Sequence, residues 1–159
     1  MSSSGSFEKG VDFGRTASDY GRYRQGLPED FFERLRTRGI GGPDQRILDL
    51  GSGTGQMARG LALGGATVTA LDRSPDLLVA ARELDRKSGV SVSQVVAPAE
   101  ATTLPDDSFD VVTAAQCWLW FDKSRLGPEL NRVFGPNGQL VIAQLDWLPW
   151  EDNVMNNSG

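Results

Sequence analysis

Histidine is missing from this chain altogether. That absence excludes imidazole as a metal ligand and as a general base, and with it every histidine-dependent hydrolase mechanism. Cysteine is almost as scarce: Cys117 stands alone, so no internal disulfide and no thiolate zinc cluster can form, which suits a reducing compartment. No apolar run approaches the roughly 20 residues of a membrane span. The opening MSSSGS lacks the apolar core of an export signal, and a cytoplasmic location is expected. Positive charge is also in deficit, with a net charge of -5. The cluster Arg34, Arg36 and Arg38 sits among acids on a predicted helix and reads as a solvated face. A nucleic-acid or anionic-membrane surface is therefore not expected. The chemistry must rest on carboxylates, hydroxyls, amides or a cofactor that carries its own reactivity.

What is abundant is glycine, and its placement is informative. In ILDLGSGTGQMARGLA, from Ile47 to Ala62, an apolar run containing Asp49 passes into Gly51, Gly53 and Gly55, with Ser52 between the first two. Ile47, Leu48 and Leu50 predict a buried strand, and Met57, Ala58, Leu61 and Ala62 recur at helical spacing behind it. Glycines at such a join permit a sharp turn and close approach of a ligand. Amides left free at the following helix start would add a partly positive cradle. A dinucleotide fingerprint would need its third glycine at position 56, which is Gln56.

The 159 residues amount to one domain, long enough to bury a core. Residues 1–26 read as an N-terminal arm, and 27–159 as the domain itself. Pro28 opens a predicted helix whose buried side is Phe31, Phe32 and Leu35, stopped by Gly39, Gly41, Gly42 and Pro43. Strands at 46–50, 67–71, 91–96, 109–115 and 139–144 then alternate with helices at 55–63, 75–87 and 123–134. Ser74 is the expected N-cap of the second of these helices, and Gly135 to Gly138 the turn into the last strand. This order predicts an α/β fold: a Rossmann-like, doubly wound, mostly parallel sheet of about five strands with helices on both faces. Such sheets bind ligands beyond the carboxyl ends of their strands, near the switch point. Asp72 ends the second strand, where its two oxygens can accept from both hydroxyls of a ribose, and Arg73 follows as a candidate for the face of an adenine. Asp106, Asp107 and Asp110 are assigned to turn chemistry and solvent, so no metal site is assigned.

The pattern D-x-G-x-G-x-G from Asp49 to Gly55 resembles motif I of the class I S-adenosylmethionine-dependent methyltransferases. Ala99, Glu100, Leu104, Pro105, Ser108, Phe109 and Asp110 match a further family segment, as does the stretch from Glu129 to Leu140. From Phe13 to Trp150 the chain is similar to the small-molecule enzymes related to ubiquinone and menaquinone biosynthesis. The resemblance implies S-adenosyl-L-methionine as cofactor and a small-molecule acceptor. It implies that Ala99 and Glu100 border the adenine, and that Gln116 lies near the methionine part and the substrate. It further implies a lid helix carrying Ala17, Tyr20 and Arg24, with Arg24 toward the cofactor's carboxylate. Trp118, Trp120 and Phe121 are candidates for an apolar wall beside the acceptor, and Cys117 for a small buried hydrophobe rather than a nucleophile. Leu119 stands where many relatives carry histidine, so no proton transfer comes over from that position, and no catalytic residue is assigned.

Family members have seven strands. Here no apolar segment follows the fifth, so strands six and seven are expected to be absent. The fifth strand would then offer a free edge to a second copy or a partner. Three readings stand at this point: an active methyltransferase, a truncated cofactor-binding module that is inactive or works through a partner, and a NAD(P)-binding oxidoreductase, which the glycine spacing disfavours.

Overall fold

A computed structural model describes residues 27–144. The expectations for the arm, including Ala17, Tyr20 and Arg24, fall outside the described residues. So do those for the tail beyond residue 144.

The elements follow the predicted alternation: α1 (Glu29–Thr37), β1 (Arg46–Leu50), α2 (Gln56–Leu63), β2 (Thr67–Asp72), α3 (Pro75–Ser88), β3 (Ser93–Val96), β4 (Phe109–Ala115), α4 (Lys123–Val133) and β5 (Phe134–Ala143). Single 3-10 turns lie at Ala99–Ala101 and Trp118–Trp120. The strands form one sheet in the order β3-β2-β1-β4-β5, and every pair is parallel. Successive connections therefore leave β1 in opposite directions, which opens a crevice above the carboxyl ends of β1 and β4.

Local chemistry accounts for most boundaries. The Leu77 amide donates to Ser74 Oγ at 3.3 Å, with Pro75 in the first turn of α3, and Gly89 closes that helix at φ 72°. The Asp122 carboxylate caps α4 by accepting from the Ser124 amide at 3.1 Å. Pro28 stands just before the first turn of α1, where its carbonyl accepts from the Phe31 amide at 3.0 Å. The last strand departs from expectation. Its ladder with β4 jumps from Phe109–Phe134 to Val111–Gln139, so Gly135 to Gly138 bulge out with Asn137 left-handed at φ 62°. The expected turn is present, but pairing resumes on both sides of it, and β5 begins directly at the end of α4.

Burial alternates along the central strands. Ile47, Val68, Ala70 and Val111 face α1, α2 and α3 through Phe32, Leu35, Met57, Leu61 and Leu78. Leu48, Leu50, Leu71 and Val112 face α4 through Leu126, Leu130 and Val133. Period-two alternation thus fills both sides of a covered sheet. On β5, Leu140 and Ile142 stay partly exposed, and among the described residues only β4 pairs with this strand.

One close approach ties α1 to the rest. The ring of Phe32 lies where a side chain at Gly60 of α2 would begin, its Cζ 2.0 Å from an ideal Cβ there. Gly60→Ala should lower stability by about 1–3 kcal/mol, because displacing a packed ring outweighs the roughly 1 kcal/mol that alanine gains in helix propensity. Urea denaturation checks this; an unchanged or higher midpoint would show that α1 is loosely seated.

Candidate functional site

The passage from β1 to α2 is built from three left-handed residues: Gly51 at φ 60°, Gly53 at 55° and Gly55 at 86°. L-residues pay about 1–2 kcal/mol for that conformation, and the three positions differ in what surrounds them. A Cβ at Gly51 would lie 2.8 Å from Cys117 Sγ and 3.5 Å from Phe121 Cζ, so this residue is packed from the β4 side. At Gly55 it would meet Arg59 at 3.1 Å and Ala81 at 3.2 Å, behind the loop. At Gly53 it would meet nothing within 4 Å. Gly53 is the residue that faces open space.

That space is a cleft of about 650 Å³ above the switch point, within the size range of small-molecule sites. Asp49, Gly51, Ser52 and Gly53 line it from β1, Asp72 and Arg73 from β2, Ala99 and Glu100 from β3, and Gln116 from β4. Gly55 does not line it.

Ahead of the helix start, several amides of the loop itself are engaged within the fold. The Ser52 amide donates to the Leu71 carbonyl at 3.0 Å, the Gly53 amide to Asp72 Oδ2 at 2.8 Å, and the Gly55 amide to the Ser52 carbonyl at 2.9 Å. The cradle is thus defined chiefly by shape. Asp72 also accepts from the Ser74 amide at 2.9 Å through its other oxygen. Each carboxylate oxygen keeps further acceptor capacity toward the cleft.

Asp49 is different in kind. Register places it beside Thr113 on the neighbouring strand, and the Thr113 hydroxyl donates to its Oδ1 at 2.7 Å. Both side chains are buried. Burial pushes the Asp49 carboxyl up to about 7; the Thr113 hydroxyl works against this and the Asp72 charge adds to it. Asp49 Oδ2 and Ser52 Oγ are both buried without a hydrogen-bond partner. Thr113 escaped the sequence reading because only strand pairing brings it to Asp49.

The β3 and β4 ends close the cleft. Ala99 is buried in its 3-10 turn, and Glu100 Oε1 accepts from the Asp122 amide at 2.9 Å, joining that turn to the segment after β4. Gln116 turns the chain off β4 at φ 61°, its amide donating to the Ala143 carbonyl at 2.8 Å. Cys117 Sγ donates to the Leu50 carbonyl at 3.2 Å, and burial with the nearby charges of Asp49 and Asp72 pushes its thiol up to about 12. It is a packing residue. The aromatic trio divides: Trp120 and Phe121 line the cleft, whereas Trp118 packs toward the α4 core and meets Phe121 edge-on at 6.3 Å. Leu27 and Met57 also line the cleft and carried no motif signal. The acidic run is dispersed: Asp110 pairs with Arg46 at 3.0 Å and Asp106 with Arg132 at 2.7 Å.

A family model described as a methyltransferase domain matches residues 48–142. An uncharacterized methyltransferase of Mycobacterium tuberculosis is 34% identical over 155 residues, covering 94% of this chain and 60% of its own length. The demethylmenaquinone methyltransferase of Thermus thermophilus is 39% identical over 103 residues, 63% of this chain and 47% of its own. The chain thus spans about 60% of the length of the mycobacterial relative. Among solved structures, a protein provisionally described as an S-adenosyl-L-methionine-dependent methyltransferase from Methanococcus maripaludis superposes with a TM-score of 0.76 at 19% identity, over 86% of this chain and 66% of its own. Phosphoethanolamine N-methyltransferase 2 of Haemonchus contortus, solved with S-adenosylhomocysteine, superposes at 0.69 with 22% identity, over 89% and 36%. At such identities the likeness concerns the fold, and the five-stranded parallel sheet is that of the class I methyltransferases.

The buried Asp49 has a thermodynamic consequence. Its folded-state pKa of about 7 exceeds the ordinary 3.8, so between those values the folded state holds a proton that the unfolded state has lost. Stability should therefore fall as pH rises from about 4 to 7, by at most roughly 4 kcal/mol from this group. Asp49→Asn should remove that slope. Carboxylates held low by partners, such as Asp110 and Glu129, act with the opposite sign, at the lower edge of this window and below it. Denaturation of both proteins across the range is the check, and parallel curves would contradict the assignment.

Proposed function

The chain belongs to the methyltransferase-domain family, and from that premise we propose that its cleft holds S-adenosyl-L-methionine and serves methyl transfer to a small-molecule acceptor. The observation that carries this reading is Gly53, the loop glycine with open space where a Cβ would stand, set at a cleft lined by Asp49, Ser52 and Asp72. Asp49 Oδ2 and Ser52 Oγ, buried without a hydrogen-bond partner, lie in the same wall, and buried polar groups left unpaired are rare in folded proteins. Asp72 would receive the ribose hydroxyls through acceptor sites left over from its two amide bonds. Arg73, Ala99 and Glu100 would border the adenine, and Asp49, Gly51 and Gln116 the methionine part. The group supplies a sulfonium-bound methyl that is already electrophilic.

The protein's task is then alignment and exclusion of water. Holding acceptor and methyl donor in line can contribute roughly 7–11 kcal/mol in favourable cases. The chain has no histidine for proton removal, and the Cys117 thiol stays protonated and bonded to Leu50. Trp120 and Phe121 supply an apolar wall at the β4 side of the cleft. This division of labour suits an acceptor that needs little help losing a proton.

Calorimetry with S-adenosylmethionine, S-adenosylhomocysteine and NADH tests the proposal. The first two should bind and NADH should not; folded protein that binds neither of the first two would refute it. Gly53→Ala should reduce stability by only about 1–2 kcal/mol yet weaken binding severely, since its methyl group would enter the cleft. Asp72→Ala should weaken binding too, and unchanged affinity would remove the ribose assignment. Transfer of a labelled methyl group into a metabolite extract separates a transferase from a domain that binds without reacting.

A further inference from the structure

The glycine loop rests on an ion pair that does not line the cleft. Arg59 of α2 donates from Nε to Asp85 Oδ1 of α3 at 2.9 Å. Both side chains are largely withdrawn from water, at 14% and 7% exposure. The same guanidinium turns back on the loop, where Nη2 donates to the Thr54 carbonyl at 2.6 Å. The peptide that follows this carbonyl is held at its other end as well, because the Gly55 amide donates to the Ser52 carbonyl at 2.9 Å. The unit joining Thr54 to Gly55 is thus fixed from both sides. There is no slack around it: the Cβ position of Gly55 lies 3.1 Å from Arg59 Nη2 and 3.2 Å from the Ala81 methyl.

Only a planar, forked cation can serve Asp85 and Thr54 together; a lysine ammonium is a point charge on a shorter stem. As a fastener between two helices the pair has no particular merit. Burial raises the Asp85 carboxyl despite the adjacent arginine, and an apolar pair of similar volume commonly stabilises as well or better. What an apolar pair cannot do is direct a carbonyl one residue from Gly53. We propose that Arg59, braced by Asp85, is a positioning residue for the cofactor loop: its bond to the Thr54 carbonyl sets the loop geometry on which cofactor affinity depends. This inference rests on the cofactor reading above. It assigns to the α2–α3 contact a part in binding as well as in packing.

The test compares S-adenosylhomocysteine affinity with melting temperature across four proteins: wild type, Arg59→Leu/Asp85→Leu, Arg59→Lys and Asp85→Asn. The leucine pair should melt near the wild type yet bind about tenfold more weakly or worse, the scale of one lost charge-assisted hydrogen bond. Arg59→Lys should show the same loss. Asp85→Asn, which keeps the bond to Thr54, should stay within about threefold of wild type. Wild-type affinity in the leucine pair or in Arg59→Lys would overturn the proposal. So would losses that follow melting temperature equally in Arg59→Lys and Asp85→Asn, since that is the mark of a structural role alone. If the leucine pair does not fold, Arg59→Lys decides in the same two ways. A wild type that itself binds no S-adenosylhomocysteine would bring down the cofactor reading, and this inference with it, a result distinct from loss confined to the variants.

Discussion

Between Leu50 and Gln56 the backbone must leave a buried strand and enter a helix through three left-handed residues, and each neighbouring element is seated on that turn. Gly51 admits Cys117 and Phe121 from beyond β4. The Gly53 amide fixes the Asp72 carboxylate at the end of β2. Gly55 lets Ala81 and Arg59 close in from α3 and α2. A side chain at the first or third position would push apart elements that the sheet order has brought together; one at the second would meet only the cleft. The same geometric requirement, positive φ without a Cβ, therefore does three jobs: it packs the β4 side, packs the helix layer, and leaves a surface for a ligand.

The electrostatics of the cleft follow from where each acid meets this turn. Asp72 lies at the rim, accepts two amides and remains partly open to solvent. Asp49 lies one strand over and deeper, where burial outweighs the Thr113 hydroxyl and the Ala58 amide and holds its pKa near neutrality. Two carboxylates near one loop thus have different tasks. The outer one organises backbone and can still accept hydrogen bonds. The inner one resists ionisation because burial removes the water that would stabilise its charge.

Much of the fold was legible because its signals are local. Apolar runs of strand length, the Ser74 cap, the Pro75 start and the glycine stops each act within a few residues, and the described elements match them to within a few positions. The strand-end rule gave Asp72, the glycine motif Asp49, and the family resemblance Ala99, Glu100 and Gln116; all five line one cleft. What escaped depends on pairing across the chain. Thr113 becomes a partner of Asp49 only when β1 and β4 are set in register. Phe32 meets Gly60 only when α1 lies on α2. Arg59 and Asp85 read as ordinary charges on two helix faces, and nothing within either helix says that they meet. The engagement of the Ser52, Gly53 and Gly55 amides was hidden for the same reason, since their acceptors lie on β2 and within the turn's own curl. The aromatic trio was one hydrophobic cluster in sequence, but a 3-10 turn sends Trp118 inward and leaves Trp120 outside.

That last division bears on the acceptor. The turn carrying Trp120 is firmly held: Lys123 Nζ donates to the Trp118 and Phe121 carbonyls, the Trp120 amide to Cys117, and the Asp122 amide to Glu100. Leu119 and Trp120, each 76% exposed, are therefore presented rather than merely left over. A fixed aromatic beside a cleft costs little further ordering when a flat or apolar molecule settles against it. Most polar anchors lie on the β1 and β2 side, while the β4 side offers Gln116 beside Trp120, Phe121 and a thiol bonded to a carbonyl. On the reading proposed above, such a site would specify the cofactor through polar contacts and the acceptor more through shape and apolar contact. Methyl transfer is compatible with that asymmetry, because one bound group carries the reactivity and the other has to be held in line.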